Sequence, residues 1–333
     1  SRVSSSTGAA MARRRGSLAR RHAAGAWALC LSASLGLLLC GCLPRSPLAH
    51  LARGTCRAGP LRQRPIGRGR ALCRASGAAG SAMSSNRLLH AMLHVRDVNA
   101  SIAFYKACGM RVLSYAERPS GAATSFVGFG EYRDAEHFAL ELAAPSPKAK
   151  EAGTPVDLGT SFQYMTFGDL DVSAVLASGG RPSAGAEGAD RSVLDPDGYR
   201  VSSQPMASGG DRFCSLALRV SDLDASRRFY CHALGMEEQS AEGPGGHPAC
   251  CLLRYALGGG AGAPAGLALL GEEPGQPVVH GSGFDHLAVS TPDVHAAAAA
   301  LQSAGADVFL PPTVMFGINI TGVRDPDGYS IYL

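Results

Sequence analysis

The first 96 residues contain no Asp or Glu; the first acid is Asp97. Residues 1–87 also lack Lys and carry fifteen Arg, so the formal net charge of +4 averages two unlike segments. The other 246 residues hold 16 of the 31 basic side chains against all 27 acidic ones, a net of −11. An acidic globular part lacks the clustered cations that a phosphate backbone demands, which excludes nucleic acid as the main ligand. None of the ten cysteines forms a CxxC pair, so zinc-ribbon and thioredoxin chemistry is excluded. Five lie early (Cys30, Cys40, Cys42, Cys56, Cys73) and five late (Cys108, Cys214, Cys231, Cys250, Cys251). An odd count without regular spacing suits a reducing compartment, with Cys serving as a small buried apolar residue. Charged residues are only 17%, but 46% hydrophobic content rules out wholesale disorder. The length of 333 residues allows two domains and an extension.

Residues 1–87 read as a targeting leader. Arg13, Arg14, Arg15, Arg20 and Arg21 precede an uncharged Ala- and Leu-rich run from Ala23 to Leu43. A basic start before an apolar stretch is the form of a secretory signal. The following Pro44–Gly80 is rich in Arg, Ala, Gly, Ser and Pro without an acid, the form of a transit peptide. In series they resemble the bipartite leader of proteins imported into complex plastids, a segment that would engage a membrane during targeting. The alternatives are a signal anchor with a basic linker, or a cytoplasmic form translated from Met83.

The remainder repeats itself. His94-Val-Arg-Asp-Val98, Ser101, Phe104-Tyr105 and Gly109-Met110 recur as Arg219-Val-Ser-Asp-Leu223, Ser226, Phe229-Tyr230 and Gly235-Met236. Asp195-Pro-Asp-Gly-Tyr199 recurs as Asp325-Pro-Asp-Gly-Tyr329. Repeats are read before single residues because they fix the architecture. Leu88–Val95 alternates as a strand. Asp97 caps a helix on which Val98, Ile102 and Tyr105 share a face, and Gly109 stops it. Met110–Tyr115, Ala123–Phe129 and His137–Leu142 read as strands. A shorter cycle follows in Phe162–Phe167, the helix Val172–Ala177 and Arg200–Gln204. Two more cycles run from Phe213 to Leu270 and from Phe284 to Leu333, the last with an Ala-rich helix over Val294–Ala304. The two DPDGY strings read as tight turns, hence as architecture.

These residues resemble the vicinal-oxygen-chelate (glyoxalase/bleomycin-resistance/dioxygenase) superfamily, and within it two-domain glyoxalase I. The likeness rests on Leu88–Val98, the Phe-Tyr and Gly-Met pairs, Phe126-Val-Gly-Phe-Gly130, Phe138-Ala-Leu-Glu-Leu142 and both DPDGY turns. It implies an α+β fold of four βαβββ modules in two tandem domains, 88–207 and 211–333. Module one is expected to pair with module four, and module two with module three, each pair around a metal position.

The resemblance also implies a site. Its ligand positions fall on His90 and Glu141 in module one and on His286 in module four; the fourth, a Glu in the family, falls on Tyr332. The other site's positions fall on Ser215, about Leu269, Tyr164 and Ser202, none a good ligand at neutral pH. One surviving site and one vestigial site are therefore expected. Two imidazoles and a carboxylate suit Ni, Zn or Co, with Fe(II) ranked behind. A single strand His or Glu is more often a surface or core residue than a ligand; their coincidence at partnered positions is what points to a metal. His94 and Arg219 stand where the family binds glutathione. The implied function is a metal-dependent lyase turning the methylglyoxal–glutathione hemithioacetal into S-lactoylglutathione, with Glu141 and Tyr332 at the catalytic positions. It would be a monomer with its domains paired, taking a small-molecule substrate and glutathione as co-substrate. Tyr332 keeps two alternatives open: a non-catalytic binding module of the same fold, and a non-haem iron dioxygenase.

Overall fold

The computed structural model describes residues 86–131, 137–151, 156–183, 192–206, 212–239, 250–256, 264–272, 275–315 and 317–333. Apart from Asn86 and Arg87, the expected leader lies outside the described residues.

Four cycles of strand, helix and three strands follow in order. The first has β1 (Arg87–His94), α1 (Val98–Ala107), β2 (Arg111–Glu117), β3 (Ala123–Gly128) and β4 (Ala139–Ala144). A short helix α2 (Pro147–Glu151) leads to β5 (Phe162–Gly168), α3 (Val172–Ala177), β6 (Arg181–Pro182), β7 (Ser192–Leu194) and β8 (Arg200–Gln204). The third cycle has β9 (Phe213–Val220), α4 (Leu223–Arg228) with a π-helical turn over Phe229–Ala233, β10 (Glu237–Gln239), β11 (Cys250–Arg254) and β12 (Gly266–Gly271). The fourth has β13 (Phe284–Ser290), α5 (Val294–Ser303), β14 (Asp307–Met315), β15 (Ile318–Arg324) and β16 (Ser330–Tyr332). Each main helix starts where an Asp can cap it. Asp97 Oδ1 accepts from the Asn99 and Ala100 amides, and Asp222 and Asp293 do the same for α4 and α5. Gly109, at φ 94°, supplies the left-handed residue that turns the chain out of α1.

The strands assemble as the resemblance implies, outer modules together and inner modules together. One eight-stranded sheet runs β14-β15-β16-β13-β1-β4-β3-β2 and the other β10-β11-β12-β9-β5-β8-β7-β6. At their centres β1 pairs antiparallel with β13, and β5 with β9. Phe138 and Phe213 stack with ring centroids 4.3 Å apart, so each half of the chain puts an aromatic side chain into a shared core.

The repeated motifs form two latches. Tyr105 donates to Asp195 Oδ2, and Ser101 donates to Asp197 Oδ2. Arg96 binds Asp197 Oδ1 through both its backbone and its side chain. Tyr230, Ser226 and the Ser221 amide repeat this pattern on Asp325 and Asp327. Inside each turn the first Asp accepts backbone amides, Asp195 those of Asp197, Gly198 and Tyr199. DPDGY is therefore architectural, but it also anchors a helix about 100 residues earlier. Burial pushes the carboxyls of Asp195 and Asp325 up to about 6.

Candidate metal centre

Strand register explains why residues from opposite ends of the chain meet. His286, Met92 and Glu141 form one row across β13, β1 and β4. His90 lies two residues from Met92 on the same face, flanked across the strands by Ala288 and Ala139. Small neighbours leave room for its ring, which packs T-shaped against Phe126 with centroids 5.2 Å apart.

His90 Nε2 lies 3.3 Å from Glu141 Oε2 and 3.4 Å from His286 Nε2. One ligand atom from each of the three falls within 4.8 Å of the others, and this is the one such His/Cys/Asp/Glu group among the described residues. All three residues are buried or nearly so. Burial lowers the His90 imidazole to about 4, so it is neutral at pH 7 with a lone pair to offer. Burial raises Glu141 to about 7, and its Oε1 is buried without a hydrogen-bond partner. A converging set of lone pairs with an orphaned buried carboxylate oxygen fits a divalent cation, because the cation offsets the desolvation that would otherwise keep a proton there.

Asp285, which the sequence reading did not single out, completes the site. Its Oδ1 is 2.6 Å from His286 Nδ1 and its Oδ2 is 3.2 Å from His94 Nε2. Burial alone would raise its carboxyl, but hydrogen bonds from His286 and His94 outweigh this and hold it well below the usual carboxylate range. Regular alternation would send the side chains of Asp285 and His286 to opposite faces. The register jumps here, however: His286 opposes Met92 while Phe284 opposes Leu93, leaving Asp285 as the extra residue of a bulge. Adjacency of Asp and His was the available signal, and the bulge that makes it productive has no sequence signature.

The remaining predicted residues separate. Tyr332, on the same row as Ala288 and His90, sets its ring edge-on to His286 at 4.9 Å. His94 stands at the margin of the trio through Asp285. Arg219 is not brought to it: on β9 of the other sheet, it donates to Gln276 Oε1 and Gln163 Oε1, both at 3.0 Å.

The corresponding rows of the second sheet contain Ser215, Tyr164 and Ser202 as expected. The carboxylate position requires a correction: β9 pairs Ala217 with Ala268, so Ala268 and not Leu269 corresponds to Glu141. Ala217, Cys250, Ala268 and Leu270 form a small apolar cluster against which Tyr164 and Leu252 pack. An apolar cluster at these positions offers no carboxylate to a cation.

Comparison with known proteins agrees with this architecture. Residues 212–333 match the family model described as Glyoxalase/Bleomycin resistance protein/Dioxygenase superfamily. The chain is 28% identical over 271 residues to an Arabidopsis thaliana protein named "Probable lactoylglutathione lyase, chloroplastic", covering 73% of this chain and 71% of that one. It is 32% identical over 127 residues to the lactoylglutathione lyase of Haemophilus influenzae, covering 34% of this chain and 89% of that one. The crystal structure of glyoxalase I from Zea mays superposes with a TM-score of 0.61 at 27% identity, covering 75% of this chain and 92% of that one. The chain belongs to the Glyoxalase/Bleomycin resistance protein/Dioxygenase superfamily. Within it, this is a glyoxalase I-like enzyme in which the likeness runs through both halves of the fold.

Proposed function

We propose that the protein converts the hemithioacetal of methylglyoxal and glutathione to S-lactoylglutathione at a single metal centre. The observation that carries this reading is the convergence of His90, Glu141 and His286 from three strands onto one point with His90 neutral. His90 and His286 would hold a divalent cation (Ni, Zn or Co) through Nε2, and Glu141 through one carboxylate oxygen. Such an ion, when bound, supplies Lewis-acid polarisation of the substrate's adjacent oxygens. Glu141 is the base: it takes a proton from one carbon of the hemithioacetal and returns it to the next. Glu141 is the one carboxylate of the trio, and a carboxylate placed at the reacting carbons can accept the proton and return it. Tyr332 lines the site beside His286, and His94 marks where the thiol-bearing partner lies. The role of Arg219 would be confined to the other sheet.

Tyr332 favours a second reading, a binding module that holds its ligand without turnover. A third, oxygen-consuming dioxygenase chemistry at the same two imidazoles and carboxylate, would show as oxygen uptake with catechols and Fe(II). For location, the acid-free, Arg-rich residues 1–87 support import into a plastid, as does the name of the Arabidopsis relative. The test is an assay of the protein loaded in turn with Ni, Zn and Co. Formation of S-lactoylglutathione supports the proposal; stoichiometric metal binding with no product under all three ions leaves the binding module.

A further inference from the structure

We infer that Asp285 is the positioning residue of the metal centre, fixing His286 with its Nε2 towards the cation and fastening His94 to the same carboxylate. The inference rests on the metal-binding reading above and adds a residue to it.

A carboxylate in the ionised form only accepts hydrogen bonds. At 2.6 Å from Asp285 Oδ1, His286 Nδ1 must therefore be the nitrogen that carries the proton. That leaves the lone pair on Nε2, the atom 3.4 Å from His90 Nε2 and aimed into the trio. A neutral imidazole can place its proton on either nitrogen, and only one tautomer is a ligand here. Asp285 selects that tautomer and fixes the ring's rotation. A partner of this kind on the distal nitrogen makes a ligating His more basic and better oriented.

The bulge supplies an independent observation. The second sheet has the same jump between Phe162 and Tyr164, leaving Gln163 as its extra residue. Gln163 Oε1 accepts from Arg219, the residue that repeats His94. In both sheets the bulge thus aims an acceptor at the residue four positions beyond His90 or its counterpart Ser215 on the facing strand. In the first sheet the acceptor also reaches the ring of its own neighbour, because position 286 is His where its counterpart is Tyr164. In the first sheet the shared device has acquired a second task, and it is the sheet that retains the ligands.

The experiment compares wild type with Asp285→Asn, Asp285→Glu and His94→Ala, using cobalt(II) as probe. In the metal-free protein, ¹⁵N shifts of the His286 ring report its tautomer. Wild type is expected to show the proton on Nδ1, and Asp285→Asn a mixture. Cobalt affinity, read by competition with a chromophoric chelator, is expected to fall about 10- to 100-fold in Asp285→Asn. Asp285→Glu should recover part of the loss, and His94→Ala should stay within about threefold of wild type, since it leaves the bond to His286 in place. The inference is overturned if wild type binds cobalt and Asp285→Asn binds it equally well, or if His94→Ala loses as much as Asp285→Asn. Failure of wild type to bind cobalt at all, with the Nδ1 tautomer still present, would instead overturn the metal reading and leave Asp285 as a mere partner of two histidines.

Discussion

The Tyr105 hydroxyl donates to Asp195 Oδ2 at 3.0 Å across 90 residues of chain, and Tyr230 does the same to Asp325 at 3.0 Å across 95. Each bond ties the first helix of one half of the chain to the last turn of that half, while the strands of each half divide between the two sheets. The latches thus hold together what the sheet pairing splits apart.

Removing one latch hydroxyl leaves a buried carboxylate oxygen short of a donor. Tyr105→Phe is expected to cost about 1–3 kcal/mol, and Tyr230→Phe a similar amount. Urea unfolding of the two single variants checks this, and the double variant should lose close to the sum if the latches act independently. A loss under about 0.5 kcal/mol in both would show that the hydroxyls are not holding the turns.

Phe138 and Phe213 stack at 4.3 Å, and both are fully buried. Phe138→Ala should therefore cost about 3–5 kcal/mol, the range for emptying an aromatic site in a close-packed core. A single unfolding transition should persist, because the shared core makes both sheets melt together.

Metal affinity should depend on pH through Glu141. Its carboxyl lies near 7 when the centre is empty, so below that pH a cation must displace a proton. Affinity is expected to rise about tenfold per pH unit between pH 5.5 and 6.5 and to flatten above pH 7.5. His90, held near 4, adds no proton to that window. Chelator competition at several pH values measures the slope, and a flat profile across this range would contradict the assignment.

Glu141→Gln keeps the shape of the site but removes both the base and a charged metal ligand. Product formation should fall by about 10²- to 10⁴-fold. The metal-free protein should behave oppositely in stability. Because burial raises the folded-state value from 4.5 to about 7, Glu141 contributes stability at low pH that is lost as pH rises through 7. At pH 8 the variant is therefore expected to melt about 2–6 °C above wild type without metal. A lower melting temperature would show that the ionised carboxylate is already compensated.

Much of this is legible in the sequence. The 125-residue spacing from His94-Val-Arg-Asp to Arg219-Val-Ser-Asp announces the duplicated modules, and Asp97 and Gly109 bound α1 as their chemistry dictates. His90, Glu141 and His286 emerged from the family resemblance, since nothing in their spacing along the chain brings them together. Asp285 did not emerge, because a bulge overrides the alternation by which strand faces are read. The one-residue error at Leu269 has a similar origin: which residue of β12 opposes Ala217 is settled by pairing between strands about 50 residues apart, and nothing local to Gly266–Gly271 encodes it. The DPDGY strings read as turns, but a turn motif carries no mark of the distant Tyr and Ser that its side chains bind.

The central claim is a single cation held jointly by the first and last modules, and elemental analysis of the purified protein tests it most directly. The account predicts about one equivalent of divalent metal per chain, lost in His90→Ala and equally in His286→Ala, with both variants folded. No metal in the wild type after loading, two equivalents, or one equivalent that survives both substitutions would contradict it.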